Sequence, residues 1–151
     1  MWRWRIKVER RPVYLALGSN LGDRRENILE AVRRLDSRFG PYVSFSRLYE
    51  SKASGFDGPD FLNAAVCYDL DLEPLQILRA CQEVEIQMGR PRHGIETDGE
   101  GRRIYHSRII DIDILLIGDE TVDTPELKVP HPLMKERDFV MVPLGEILGI
   151  S

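Results

Sequence analysis

Ile109-Ile110-Asp111-Ile112-Asp113-Ile114-Leu115-Leu116-Ile117 sets two acidic residues, two positions apart, inside an otherwise apolar run. So many β-branched residues together predict a buried β-strand. Side chains alternate faces along a strand. Ile110, Ile112, Ile114 and Leu116 therefore fall on one face, and Asp111 and Asp113 on the other, about 7 Å apart. Two carboxylates at that distance repel by about 2 kcal/mol at a moderate effective dielectric, and burial adds a desolvation cost to each. A bound divalent cation relieves both. Mg2+ suits the pattern because it takes a few carboxylates and completes its shell with water and substrate phosphate. The plainer alternative is an edge strand whose acids face water.

Outward from this strand, the chain alternates strand and helix patterns. Val13-Tyr14-Leu15-Ala16-Leu17 reads as a strand that ends at the turn Gly18-Ser19-Asn20-Leu21-Gly22. Asp23 with Glu26 has the spacing of a capping box, and Ile28, Leu29, Val32, Leu35 and Phe39 follow at helical intervals until Gly40-Pro41. Tyr42 to Tyr49 alternates as a strand, and Phe61 to Tyr68 reads as another. Glu73-Pro74 opens a second helix, whose apolar side is marked by Leu75, Leu78, Cys81 and Met88 and whose end is marked by Gly89. The aspartate strand comes next, then an irregular Pro-rich stretch from Thr124 to Phe139 and an apolar segment from Val140 to Leu148. The order is βαββαβ, which predicts an α+β, ferredoxin-like fold: an antiparallel sheet with helices packed on one face and the other face open for a site. Residues 12–151 form the single domain, and 1–11 form a basic N-terminal extension.

Bulk properties narrow the function. The 151 residues, 42% hydrophobic and 30% charged, suit one globular domain. A net charge of −4 argues against nucleic acid as partner. Arginine is nonetheless concentrated at Arg90, Arg92, Arg102, Arg103 and Arg108, which suits a small polyanion. Cys67 and Cys81 lie in apolar contexts and read as reduced core residues of a cytoplasmic protein. The first residues lack the apolar core of a signal peptide, and no run is long enough to span a membrane.

Several residues carry candidate chemistry. Arg90-Pro91-Arg92, directly after the second helix, could grip phosphate oxygens, although a cation at a helix C-terminus is also simply favourable. Gln82 and Glu85 share a helix face. His131, between Pro130 and Pro132, could donate a hydrogen bond to phosphate, and Arg137 and Phe139 add a cation and an aromatic nearby. Asn63 is an amide within an apolar strand that needs partners. It offers a donor and an acceptor to a heterocycle edge, with Phe61 on its strand face. Neither a P-loop nor a Rossmann glycine pattern occurs.

Taken in order, Leu17-Gly18-Ser19-Asn20-Leu21-Gly22, Phe61-Leu62-Asn63-Ala64-Ala65, Gly89-Arg90, Arg108-Ile109-Ile110-Asp111-Ile112-Asp113 and Val129-Pro130-His131 resemble the 6-hydroxymethyl-7,8-dihydropterin pyrophosphokinases of folate biosynthesis. The resemblance runs from about Val13 to Leu148. It implies transfer of the β,γ-pyrophosphoryl group of ATP to the pterin hydroxymethyl oxygen, leaving AMP. Charge and hydropathy point to no nucleic-acid and no membrane partner, and a monomer is the expectation, which the sequence does not determine. The resemblance implies two Mg2+ ions on Asp111 and Asp113, with Arg90 and Arg92 also catalytic. It implies ATP contacts from Gln82, Glu85, Arg90, Arg92, Arg108, His131 and Arg137. Phe61, Asn63, Phe139 and Asp111 are implied to bind the pterin. Where the family has Trp-Gly-Pro before the arginine of the aspartate motif, this chain has Tyr105-His106-Ser107. Two other readings fit part of the pattern: a ferredoxin-like binding module without catalysis, and a Mg2+-dependent nuclease. The first has no need of paired aspartates, and the second none of Asn63 with its aromatic neighbours.

Overall fold

The computed structural model describes residues 8–52, 58–89 and 109–149. In chain order the elements are β1 (Arg11–Ser19), α1 (Arg24–Phe39), β2 (Ser44–Phe45), β3 (Tyr49–Ser51), β4 (Phe61–Leu70), α2 (Pro74–Gln87), β5 (Asp111–Ile117), β6 (Val122–Asp123), β7 (Lys128–Val129) and α3 (Asp138–Leu148). The strands β2, β4, β1 and β5 lie side by side, β3 also pairs with β4, and all of these pairings are antiparallel. The fold is α+β: an antiparallel sheet with three helices among the described residues. The segments 1–7, 53–57, 90–108 and 150–151 lie outside them, and with them Arg90, Arg92, Arg108 and the Tyr105-His106-Ser107 stretch.

Local chemistry explains the element boundaries. The Asp23 side chain accepts the Glu26 N–H at 3.1 Å and caps α1. Glu73 and Gln76 form a reciprocal capping box at the start of α2, where Pro74 occupies a first-turn position that needs no N–H. The expected strand over Tyr42 to Tyr49 is broken in two. At the break, Ser46 takes over the ladder: its N–H donates to Ala65 O, and its Oγ accepts the Ala65 N–H at 2.9 Å.

The main core lies between the sheet and the pair α1 and α2. Val13, Leu15 and Leu17 of β1, Leu62, Ala64, Val66 and Tyr68 of β4, and Ile112 and Ile114 of β5 meet Ile28, Val32 and Leu35 of α1 and Ile77, Cys81 and Val84 of α2. The apolar stripe of α2 is thus centred on Ile77, Cys81 and Val84, while Leu75 is exposed. The opposite face is not wholly open. There α3 sets Val140 and Leu144 against Leu115, Tyr14, Ala16 and Leu116, and Glu146 holds its far end to the sheet by accepting from the Arg47 backbone and side chain and from Tyr49 Oη.

The β1–β5 register shifts between Tyr14 and Leu15, which pair with Leu116 and Ile114. Leu115 is therefore an extra residue, a β-bulge, and alternation resets beyond it. Ile117 joins Ile110, Ile112 and Ile114 in the main core, and Leu116 turns to the α3 side, against simple alternation.

Tyr68 is fully buried, and its hydroxyl donates to Asp36 Oδ1 at 2.7 Å, joining β4 to α1. The Tyr68→Phe protein is expected to lose about 1–2 kcal/mol of unfolding free energy in urea titration. An unchanged midpoint and slope would remove this bond from the stabilising set.

Candidate active site

The sheet register assembles the site. Asn63 of β4, Gly18 of β1 and Asp111 of β5 form one cross-strand row, and Ala65, Ala16 and Asp113 form the row two residues along. Cross-strand partners share a face, so Asn63 and both aspartates stand on the α3 side of the sheet. Asn63 and Asp111 are two strand spacings apart, about 10 Å. Gly18 stands between Asn63 and Asp111, while Ala16 in the next row packs under α3 and Ala65 is buried.

Asn63 is only 5% exposed. Its Nδ2 donates to Tyr49 O at 3.0 Å and to Ser51 Oγ at 2.8 Å, so β3 uses both amide hydrogens. This fixes the amide with Oδ1 toward the space over Gly18, where an added Cβ would lie 3.5 Å from it. Oδ1 has no hydrogen-bond partner among the described residues. Asn63 therefore offers an acceptor to a ligand, where the sequence alone allowed an acceptor and a donor. Phe61 lies two residues away on the same face, with its ring edge 3.6 Å from the same Gly18 position. Phe139 is half-buried on α3, and the Arg137 guanidinium lies 5.8 Å from its ring centroid.

His131 is positioned by the bulge. Its N–H donates to the carbonyl of Leu115, the extra residue of β5, at 3.1 Å. Its Nδ1 accepts the Leu133 N–H at 3.3 Å, so the proton of the neutral ring sits on Nε2, which remains a donor. Burial lowers the His131 pKa, the Arg137 charge lowers it further, and Asp111 opposes them. That electrostatic link brings His131, Arg137 and Asp111 into one neighbourhood.

Glu85 is 6% exposed, and its Oε2 accepts the Ile112 N–H at 2.8 Å. β5 is an edge strand, and edges present unpaired N–H groups. Glu85 accepts one of them between the two aspartates and ties α2 to the strand that carries them. The Cys81 thiol, one turn earlier and fully buried, is pushed up by burial and then by the charges of Glu85 and Asp113. Gln82 lies on the exposed side of α2, away from Glu85's buried position. Sequence reasoning missed the part Gly18 plays between Asn63 and Asp111. The sequence reading put Gly18 in the turn after the strand, whereas β1 runs on through Ser19 and pairs Gly18 on both sides; a glycine inside a strand often marks close approach of another group.

Asp111 and Asp113 are both half-buried. Among the described residues no third His, Cys, Asp or Glu joins them in a metal-holding group. Two carboxylates on one strand face, without a Cys or His that joins them in such a group among the described residues, fit a hard cation such as Mg2+ better than a closed tetrahedral zinc site.

An amide acceptor, an aromatic and paired carboxylates thus share one face of the sheet. The family model for 7,8-dihydro-6-hydroxymethylpterin-pyrophosphokinase matches residues 14–149, and the chain belongs to that family. A Porphyromonas gingivalis 2-amino-4-hydroxy-6-hydroxymethyldihydropteridine pyrophosphokinase is 44% identical over 137 residues, covering 89% of each chain. The Aquifex aeolicus protein of that name is 43% identical over 136 residues, 89% of this chain and 79% of its own. The Bacillus subtilis one is 40% identical over 136 residues, 89% of this chain and 76% of its own. The chain is thus a pyrophosphokinase of folate biosynthesis, an enzyme that transfers pyrophosphate to a hydroxymethyl pterin.

The His131 environment has a pH consequence. Its folded-state pKa lies below the ordinary 6.5, so the folded protein binds the proton more weakly than the unfolded chain. The neutral ring's contribution to stability is complete above the unfolded value and is lost as pH falls through the folded one. NMR titration of the His131 ring is expected to give a midpoint below 6.5. A midpoint above that value would contradict the buried, Arg137-facing position.

Proposed function

We propose that ATP is the pyrophosphoryl donor, that Mg2+ is required, and that the chemistry takes place on the sheet face carrying Asn63, Asp111 and Asp113. The observation that carries this reading is the register. One pair of antiparallel ladders sets an acceptor amide and two carboxylates on the same face, about 10 Å apart.

In this reading the pterin lies over Gly18 and gives an N–H to Asn63 Oδ1, with Phe61 and Phe139 against its ring faces. Its hydroxymethyl group then points toward Asp111. The hydroxymethyl oxygen attacks the β-phosphorus of ATP, the bond from that phosphorus to the α,β-bridging oxygen breaks, AMP leaves with the bridging oxygen, and the hydroxyl proton passes to solvent. Asp111 and Asp113 would hold the two Mg2+ ions, which would supply charge neutralisation for the triphosphate. His131 donates Nε2–H to a phosphate oxygen, and Arg137 adds positive charge beside it. Such a transfer depends on positioning and charge neutralisation more than on covalent catalysis.

Family resemblance supports phosphate contacts for Arg90, Arg92 and Arg108, with Arg90 and Arg92 also catalytic, and ATP contacts for Gln82 and Glu85. In the structure Glu85 is committed to Ile112, which also supports a positioning role beneath the aspartates. The order β2, β4, β1, β5 supports a ferredoxin-like topology, with residues 12–151 as one domain after a basic extension. Two buried free thiols, Cys67 and Cys81, support a reducing, cytoplasmic setting.

Production of AMP from ATP decides the matter. It is expected to require both 6-hydroxymethyl-7,8-dihydropterin and Mg2+ and to stop in EDTA. Asp111→Asn and Asp113→Asn are each expected to lower turnover by about a hundredfold or more while circular dichroism stays native. Pterin binding without AMP release would favour a non-catalytic binding module, and near-normal turnover in both variants would remove the metal assignment.

A further inference from the structure

Gly18 lies inside β1, paired to Asn63 on one side and Asp111 on the other. A glycine inside a strand weakens it, and usually answers either to an unusual backbone angle or to the close approach of another group. Gly18 is absent from the glycines with positive φ, so the backbone does not demand it. The protein's own packing does not demand it either. A Cβ at this position would lie 3.5 Å from Asn63 Oδ1, 3.6 Å from Phe61 Cδ1 and 3.9 Å from Leu62 O, all ordinary contact distances. An alanine methyl therefore fits the folded protein, and it would stand directly before the Asn63 acceptor that no described residue uses.

We propose that Gly18 is a specificity-determining residue of the pterin pocket: the missing side chain lets a flat, N–H-bearing heterocycle lie against β1 with its donor edge on Asn63 Oδ1. The inference rests on the reading of Asn63 and Phe61 as the pterin pocket. It assigns to the floor of that pocket a selectivity that its walls alone do not supply. A methyl on the floor lifts the ring and lengthens its hydrogen bond to Asn63, while the phosphate side of the site, beyond Asp111, is untouched.

The consequence is a pair of effects with opposite signs. Gly18→Ala narrows the unfolded ensemble at a site where alanine is unstrained, so the thermal midpoint is expected to rise by about 1–4 °C. The dissociation constant for 6-hydroxymethyl-7,8-dihydropterin, measured by calorimetry, is expected to rise by about ten- to a hundredfold, with ATP affinity little changed. Asn63→Ala is measured in parallel. If Asn63→Ala weakens pterin binding and Gly18→Ala does not, the inference is overturned and the pocket stands. If neither variant alters pterin binding, the pocket reading fails as well. A thermal midpoint that falls in Gly18→Ala would also overturn the inference, because the glycine would then serve the fold.

Discussion

β1 hydrogen-bonds to β4 along one edge and to β5 along the other, and the placement of the functional groups follows from that double pairing. β4 carries the amide, β5 carries the carboxylates, and β1 sets how far apart they stand and which face they share. A one-residue slip in either ladder would send Asn63 or the aspartates to the helix-covered face. The large apolar side chains Val13, Leu15 and Leu17 lock the register from the α1 and α2 side, while on the opposite side Ala16 packs under α3 and Gly18 adds no side chain. One strand thus anchors the core on one face and sets the spacing of Asn63 and the aspartates on the other.

The edge strand β5 has its own supports. Glu85 takes the Ile112 N–H from the side of α2, and the bulge at Leu115 frees a carbonyl that takes the His131 N–H. A buried glutamate is costly unless it is bonded, and here its bond stiffens the strand segment between Asp111 and Asp113. The bulge has two effects. It turns Leu115 and Leu116 toward α3, completing the small second core, and it fixes the loop that carries His131, whose ring the Leu133 N–H then holds in one tautomer.

Much of this was legible from residue order, and the failures have physical causes. The Ile-Asp alternation gave the correct faces through Ile114. Parity failed at Leu116 because one extra residue resets alternation, and pattern alone does not reveal an extra residue. The α2 stripe was read from Leu75, Leu78, Cys81 and Met88; Cys81 is buried and Leu78 and Met88 pack on the core, but Leu75 is exposed and the buried arc also takes in Ile77, Val84 and Glu85. Counting Glu85 as polar hid that part of the arc, since its burial depends on an N–H from a distant strand. Helix α3 was read only as an apolar segment because Pro143 and Gly145 interrupt the helical signal, which packing against Leu115 and Tyr14 overrides. Asn63 was recognisable as an amide that needs partners inside an apolar strand, but the direction of its oxygen depends on Tyr49 and Ser51, which come from another strand.

The central claim is geometric: one sheet face seats the heterocycle over Gly18 and the metal-bound phosphates over Asp111 and Asp113. A crystal structure of the enzyme with 6-hydroxymethyl-7,8-dihydropterin, Mg2+ and a non-hydrolysable ATP analogue tests it most directly. The account predicts the ring against β1 with an N–H on Asn63 Oδ1, and both carboxylates on metal. A ring seated away from Gly18, or aspartates that contact no metal, would contradict it.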